Sequence, residues 1–283
     1  MRYGMPKFEQ VFFLLSALAL PLVSGQAHTA SFDDKFAVVI VDTQTEAKLG
    51  GFPSRAVLAQ VIDRIAAGKP KSIILKYFLD TPGKEPDSTV LAQSIGKTRV
   101  ILQATLNKDP PTSRSLDGRF FFKDTIAPFK PLLAGDEGWL PQKRFSDQAA
   151  KVCFADVVTP EQVPMFEMFQ QRPVESLYAC ALAEAFGDGK TILGNHRASF
   201  GKQMLTLDGA GEVRISLAEL SLPRSVSAGR LLEGEFDTGV FAGKVAILAY
   251  TGSRTPTVVV RGAAIAVHQA FLAQLRELVG SLR

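Results

Sequence analysis

The sequence predicts an α/β fold, with a largely parallel central sheet, helices on both faces, a long irregular insertion and a β-hairpin. Three observations lead there. Four runs are almost continuously apolar: FAVVIVD (36–42), SIILKYFLD (72–80), RVILQATL (99–106) and KVAILAYTG (244–252). Strands covered on both faces lose the alternation of a half-exposed strand, so runs of this kind belong to a buried parallel sheet. Helical periodicities lie between the early runs, and alternating strands and helices build βαβ units. The chain also has 283 residues, 46% of them hydrophobic, enough to enclose a sizeable core in one domain.

The N-terminus reads as an export signal. Arg2 and Lys7 precede a 13-residue, mostly apolar stretch from Val11 to Val23, and the small residues Ser24, Gly25 and Ala27 follow. Cleavage after Ala27 divides the chain into a signal peptide, 1–27, and a single domain, 28–283. The apolar stretch is shorter than the roughly 20 residues of an ordinary membrane span, although an uncleaved anchor stays open. The chain is therefore expected in the periplasm or secreted.

The first apolar run is a strand, and LGGFPSR (49–55) follows it as a corner built on Gly51 and Pro53. Val57, Leu58, Val61, Ile62 and Ile65 then form one helical stripe, with Gly68 and Pro70 as its stop. Arg55 falls in the first turn of this helix. A cation there opposes the macrodipole at a cost of up to about 1 kcal/mol, so something else must hold it. Asp42 is the first candidate partner and Asp80 the second. A second helix opens at the capping candidate Asp87 and ends at Gly96.

Residues 107–144 form the irregular insertion, with GRFFFKD as a short strand and TIAPFKPLLAG as a short helical piece. A strand over 151–158 and a helix over 174–186 follow. QMLTLDGAGEVRISL reads as a hairpin, because Asp208, Gly209 and Gly211 supply turn chemistry between alternating segments. Gly243 and Gly252 bracket the last apolar run, and an amphipathic helix from 262 to about 282 closes the chain.

Beyond residue 27 there are 30 basic and 27 acidic side chains, scattered and without aromatic interleaving, which excludes nucleic acid as the expected partner. GDGKT (187–191) lacks the first glycine of a phosphate loop, and SIGK (94–97) lacks the partner motifs of a serine–lysine hydrolase. Three histidines, His28, His196 and His268, leave no expected triad or metal site, and no cofactor is implied. His268 sits on an apolar stripe, where a hydrogen-bonded structural role is the plainer reading. Cys153 and Cys180 lie in apolar contexts and are expected as small buried hydrophobes, with one bridge between them as the alternative.

One constellation remains. Asp42, Lys76 and Gln103 fall toward the carboxyl ends of predicted parallel strands, where open α/β sheets place their ligand crevice, and Arg55 enters the same region. These four are the candidate ligand-binding residues. The competing reading is an ion pair of Asp42 with Arg55 or Lys76 that merely closes the edge.

The ordered series VVIVD, Gly51-Phe52-Pro53-x-Arg55, AVLAQVIDRIAAGKPKSI, DSTVLAQSI, VILQATL and FAGKVAILAYTG resembles the second type of CHASE domain. Such domains are extracellular sensors of bacterial cyclases, histidine kinases and serine/threonine kinases. The resemblance covers about 32–278 and is strongest over 36–106. It departs where Lys76 replaces the usual aspartate, where His268 is shifted, and in the loop after Gly252, which lacks the usual aspartate before its proline. Because the chain ends at Arg283, the resemblance implies a non-catalytic sensory or ligand-binding module that signals through an envelope or membrane partner protein. The alternatives are a periplasmic hydrolase or transferase using Asp42 and Lys76, and an envelope scaffold.

Overall fold

Six parallel strands and one short antiparallel strand form the central sheet. The computed structural model describes residues 31–106, 108–109, 111, 115–122, 129–157, 159–217 and 222–283. The proposed signal segment lies outside them. Along the sheet, Ser225–Ser227 pairs β1 (Phe36–Val41), followed by β5 (Val245–Tyr250), β2 (Ser72–Lys76), β3 (Val100–Leu106) and β4 (Lys151–Phe154). Gly138–Trp139 runs antiparallel against the last residues of β3.

The expected burial on both faces is met. Ala37, Val39, Leu75 and Leu248 face one apolar cluster with α2 (Arg55–Ala67) and α3 (Asp87–Lys97). Val38, Ile74, Ile101 and Ile247 face the other, with α4 (Leu177–Phe186) and α5 (Val267–Gly280). Alternate residues of each strand thus feed two separate cores, which is why the runs are apolar throughout.

Several local expectations are corrected. A helix, α1 (Thr43–Leu49), intervenes between β1 and the Gly51–Pro53 corner and ends at Gly50, whose φ of 71° suits glycine. Asp87 is the first residue of α3 and caps nothing; Pro86 takes the capping position. In GRFFFKD, Gly118–Phe120 is a 3-10 turn and Phe121 makes one isolated bridge to Val174; residues 123–128 lie outside the described set. The described part of TIAPFKPLLAG is not helical, and Ala134–Gly135 is a strand paired with Phe166–Phe169.

The turn at Asp208–Gly211 forms, with the Asp208 carboxylate accepting from the Ala210 and Glu212 N–H groups. Its arms nevertheless pair elsewhere, Gln203–Thr206 with Arg197–Phe200 and Glu212–Arg214 with Gln162–Pro164. Antiparallel hairpins occur instead at 166–175, 192–206 and 257–266. The last of these takes up residues that the sequence pattern assigns to the closing helix, which starts at Val267.

Cys153 of β4 and Cys180 of α4 are joined in a disulfide, so the reading of two separate apolar cysteines does not hold. Both are fully buried, and the bridge ties the sheet to the helix that covers it. The Glu175 carboxylate lies 3.3 Å from the Cys180 sulfur. This is a contact only, because a bridged sulfur carries no proton, and the same bond occupies the two sulfurs that could otherwise join Glu175 around a metal ion.

Candidate functional site at the carboxyl edge of the sheet

Strand β5 lies between β1 and β2, yet the chain leaves these neighbours in different directions. After β1 and β2 it turns to α2 and α3 on one face, and after β5 it turns to α5 on the other. In open α/β sheets the carboxyl edge at such a divergence is the usual place for a ligand.

On the α4/α5 side, Lys76 and Gln103 stand side by side, with Lys76 Nζ 3.4 Å from Gln103 Oε1 and 4.5 Å from the centre of the Phe271 ring. Both are essentially buried. Burial depresses the Lys76 pKa from 10.5 to about 7, opposed by the nearby Asp156 carboxylate. Asp156 accepts the Leu106 N–H at 2.7 Å, but burial outweighs this bond and raises its pKa. Glu167 is 0% exposed, and burial, together with Asp156, raises its pKa well above the usual carboxylate value.

His268, at the start of α5, accepts the Tyr250 N–H on Nδ1 at 3.1 Å. Burial, reinforced by Lys76, lowers its pKa to about 2. It is a neutral, hydrogen-bonded structural residue, as its place on an apolar stripe suggests. The Tyr178 hydroxyl of α4 donates to Gln274 of α5, whose Nε2 donates to the Pro160 carbonyl at 2.8 Å. Two side-chain atoms in this region lack a hydrogen-bond partner although buried, Gln103 Nε2 and Thr105 Oγ1, whereas the buried Glu167 carboxyl bonds to Asp156.

On the other side of β5, the Glu46 carboxylate of α1 accepts from the Tyr250 hydroxyl and from the Ser253 N–H at 2.7 Å. These bonds, the tyrosine's first, hold Glu46 below its usual pKa, while burial raises that of Tyr250. Gly252 permits this closeness, because a Cβ there would overlap the Glu46 carboxylate and the Tyr250 ring. The Phe52 ring packs on Tyr250, with centroids 4.9 Å apart, and both neighbour Tyr77, whose buried hydroxyl lacks a partner.

The four sequence candidates are only partly brought together. Lys76 and Gln103 meet as expected. Asp42 instead caps α1, its carboxylate accepting the Thr45 N–H at 2.7 Å, and the carboxylate that acts on Lys76 is Asp156. Arg55 makes no ion pair with Asp42. Its guanidinium donates to Ser88 Oγ at 2.8 Å and to the Thr81 carbonyl, and lies 5.0 Å from the Phe145 ring centre. Asp80, the second expected partner, acts only through space.

Gly51 adopts a φ of 142° and Gly243 one of 69°, and Pro53 is buried at the corner. Asp156, Glu167 and Glu46 were missed. They come from loops or short elements without periodicity, and each becomes interesting only through its buried neighbours.

No helix among the described residues is long and apolar enough to cross a membrane. Comparison with curated proteins and with solved structures returns no match. A family model described as the CHASE2 domain matches residues 10–280, nearly the whole chain. With the ordered strand and helix series observed, the chain belongs to the CHASE2 domain family, a family of sensory domains.

Proposed function

We propose that this chain is an exported, non-catalytic sensory module that binds a small ligand at the carboxyl edge beside β5 and acts through a partner protein. Family membership supports the sensory role. The observation that carries ligand binding is the pair of buried, unpartnered polar atoms on β3, Gln103 Nε2 beside Lys76 and Thr105 Oγ1 two residues on. Each such atom costs about 1–3 kcal/mol, a cost that apolar side chains of similar shape would avoid. A site that opens to exchange these vacant valences for a ligand makes use of them. Of the four sequence candidates, Lys76 and Gln103 belong to this site, while the bonds made by Asp42 and Arg55 give them structural roles.

Thermal-shift screening and native mass spectrometry of the purified chain test this reading. A ligand should raise the melting temperature of the wild type and do so less in a Gln103→Leu/Thr105→Val variant. Equal shifts in both proteins, or no ligand from a broad panel of metabolites and envelope extracts, would count against it. Cell fractionation with N-terminal sequencing tests export, the expected mature start being His28.

A further inference from the structure

A cavity of about 460 Å³ lies beside the amino end of β4, away from the carboxyl edge. Its size is within the range of about 300–1,000 Å³ typical of small-molecule sites. Phe121, Phe122 and Val152 form apolar wall, and Ile192 at the rim is 68% exposed. Three cations line it, Arg119, Lys151 and Lys190, against one carboxylate, Glu175.

These charges are not equally available. Lys151 is paired with Glu175, and Arg119 pairs with Asp117 at 3.7 Å, bonds the Ser146 carbonyl and lies over the Phe120 ring. Lys190 has no partner among the described residues. It is delivered by the GDGKT turn, where Asp188 and Gly189 take positive φ values of 50° and 76°. The Gly189 and Lys190 N–H groups point back to the Ala183 and Gly187 carbonyls, at 2.9 and 3.0 Å. Those amides are therefore spent, and the turn offers no backbone cradle of the kind a phosphate group needs. What it offers is one free ammonium beside an apolar wall.

We propose that this cavity binds a small monocarboxylate with a flat apolar body, the carboxylate on Lys190 and the body between Phe121, Phe122 and Ile192. Among the described lining residues the one unpaired cation, Lys190, matches a single negative charge and disfavours cationic ligands. The exposed Ile192 side chain gains cover from the bound body.

The test is ¹⁹F NMR of the purified full chain with 4-fluorobenzoate and its uncharged analogue 4-fluorobenzyl alcohol. The benzoate should bind at least about tenfold more tightly than the alcohol, and Lys190→Gln should weaken it by a similar factor, the loss of one charge-assisted hydrogen bond. Ile192→Asp should abolish binding, whereas Lys76→Met, at the carboxyl edge, should leave it unchanged. Far-UV circular dichroism establishes that each variant is folded. Equal binding of both probes, undiminished binding to folded Lys190→Gln, or no binding of the benzoate at millimolar concentration would overturn the proposal.

Discussion

The Lys76 ammonium lies 3.4 Å from the Gln103 carbonyl oxygen and 4.5 Å from the Phe271 ring centre, and makes no ion pair among the described residues. A lysine buried in this way is held to the fold at a cost that depends on pH. Its pKa falls from 10.5 in the unfolded chain to about 7 in the folded one. Between these values the unfolded state binds a proton that the folded state does not, so stability rises with pH. Urea denaturation should show a gain of about 3 kcal/mol from pH 7 to 9.5 relative to Lys76→Met. Parallel pH profiles for the two proteins would show that Lys76 is better solvated than its position implies.

Thr105→Val should leave stability unchanged or raise it by about 1 kcal/mol, since it replaces a buried hydroxyl without a partner by a methyl group of the same shape. Denaturant midpoints measure this directly. A loss beyond about 1 kcal/mol would instead mean that the hydroxyl is satisfied in solution.

Arg55 pins the segment between β2 and α3 through Ser88 and the Thr81 carbonyl. Arg55→Ala should cost about 1–3 kcal/mol, the range for hydrogen bonds to a charged group. Arg55→Lys should recover less than half, because an ammonium cannot span both acceptors while stacking on Phe145. Guanidinium chloride titrations of the three proteins provide the comparison.

The Cys153–Cys180 bridge closes a sequence separation of 27 residues. Chain entropy alone predicts a loss of about 3–4 kcal/mol for Cys153→Ala/Cys180→Ala. The wild type should lose a similar amount when reduced under denaturing conditions and refolded with the reductant present. Thiol alkylation with mass spectrometry reports the redox state in each case.

Gly252→Ala forces the loop away from the Glu46 carboxylate and the Tyr250 ring. Overpacking of this kind typically costs about 1–3 kcal/mol. The near-ultraviolet circular dichroism of the tyrosines should change with it, and amide exchange at Ser253, whose N–H is bound by Glu46, should accelerate.

Much of the fold was legible because it follows from local pattern. Continuous apolar runs identify strands buried on both faces, and the stripe from Leu58 to Ile65 identifies the helix packed on them. Strand order is not local: β5, the last strand of the central sheet in chain order, enters it between β1 and β2. The Asp208–Gly211 turn shows the same limit. Its turn chemistry is written in consecutive residues, but the partners of its arms are chosen by long-range packing.

By itself, then, the sequence determined the fold class, the edge on which Lys76 and Gln103 stand, and the family resemblance. Only the tertiary structure decided what charges surround them. Asp42 had a nearer use as a helix cap, where a backbone N–H three residues away competes for its carboxylate. Asp156, 80 positions beyond Lys76, took the place expected of Asp42, with Glu167, 91 positions beyond, beside it. Burial then shifted the pKa values of Lys76, Asp156 and Glu167, and burial is a property of the assembled layers.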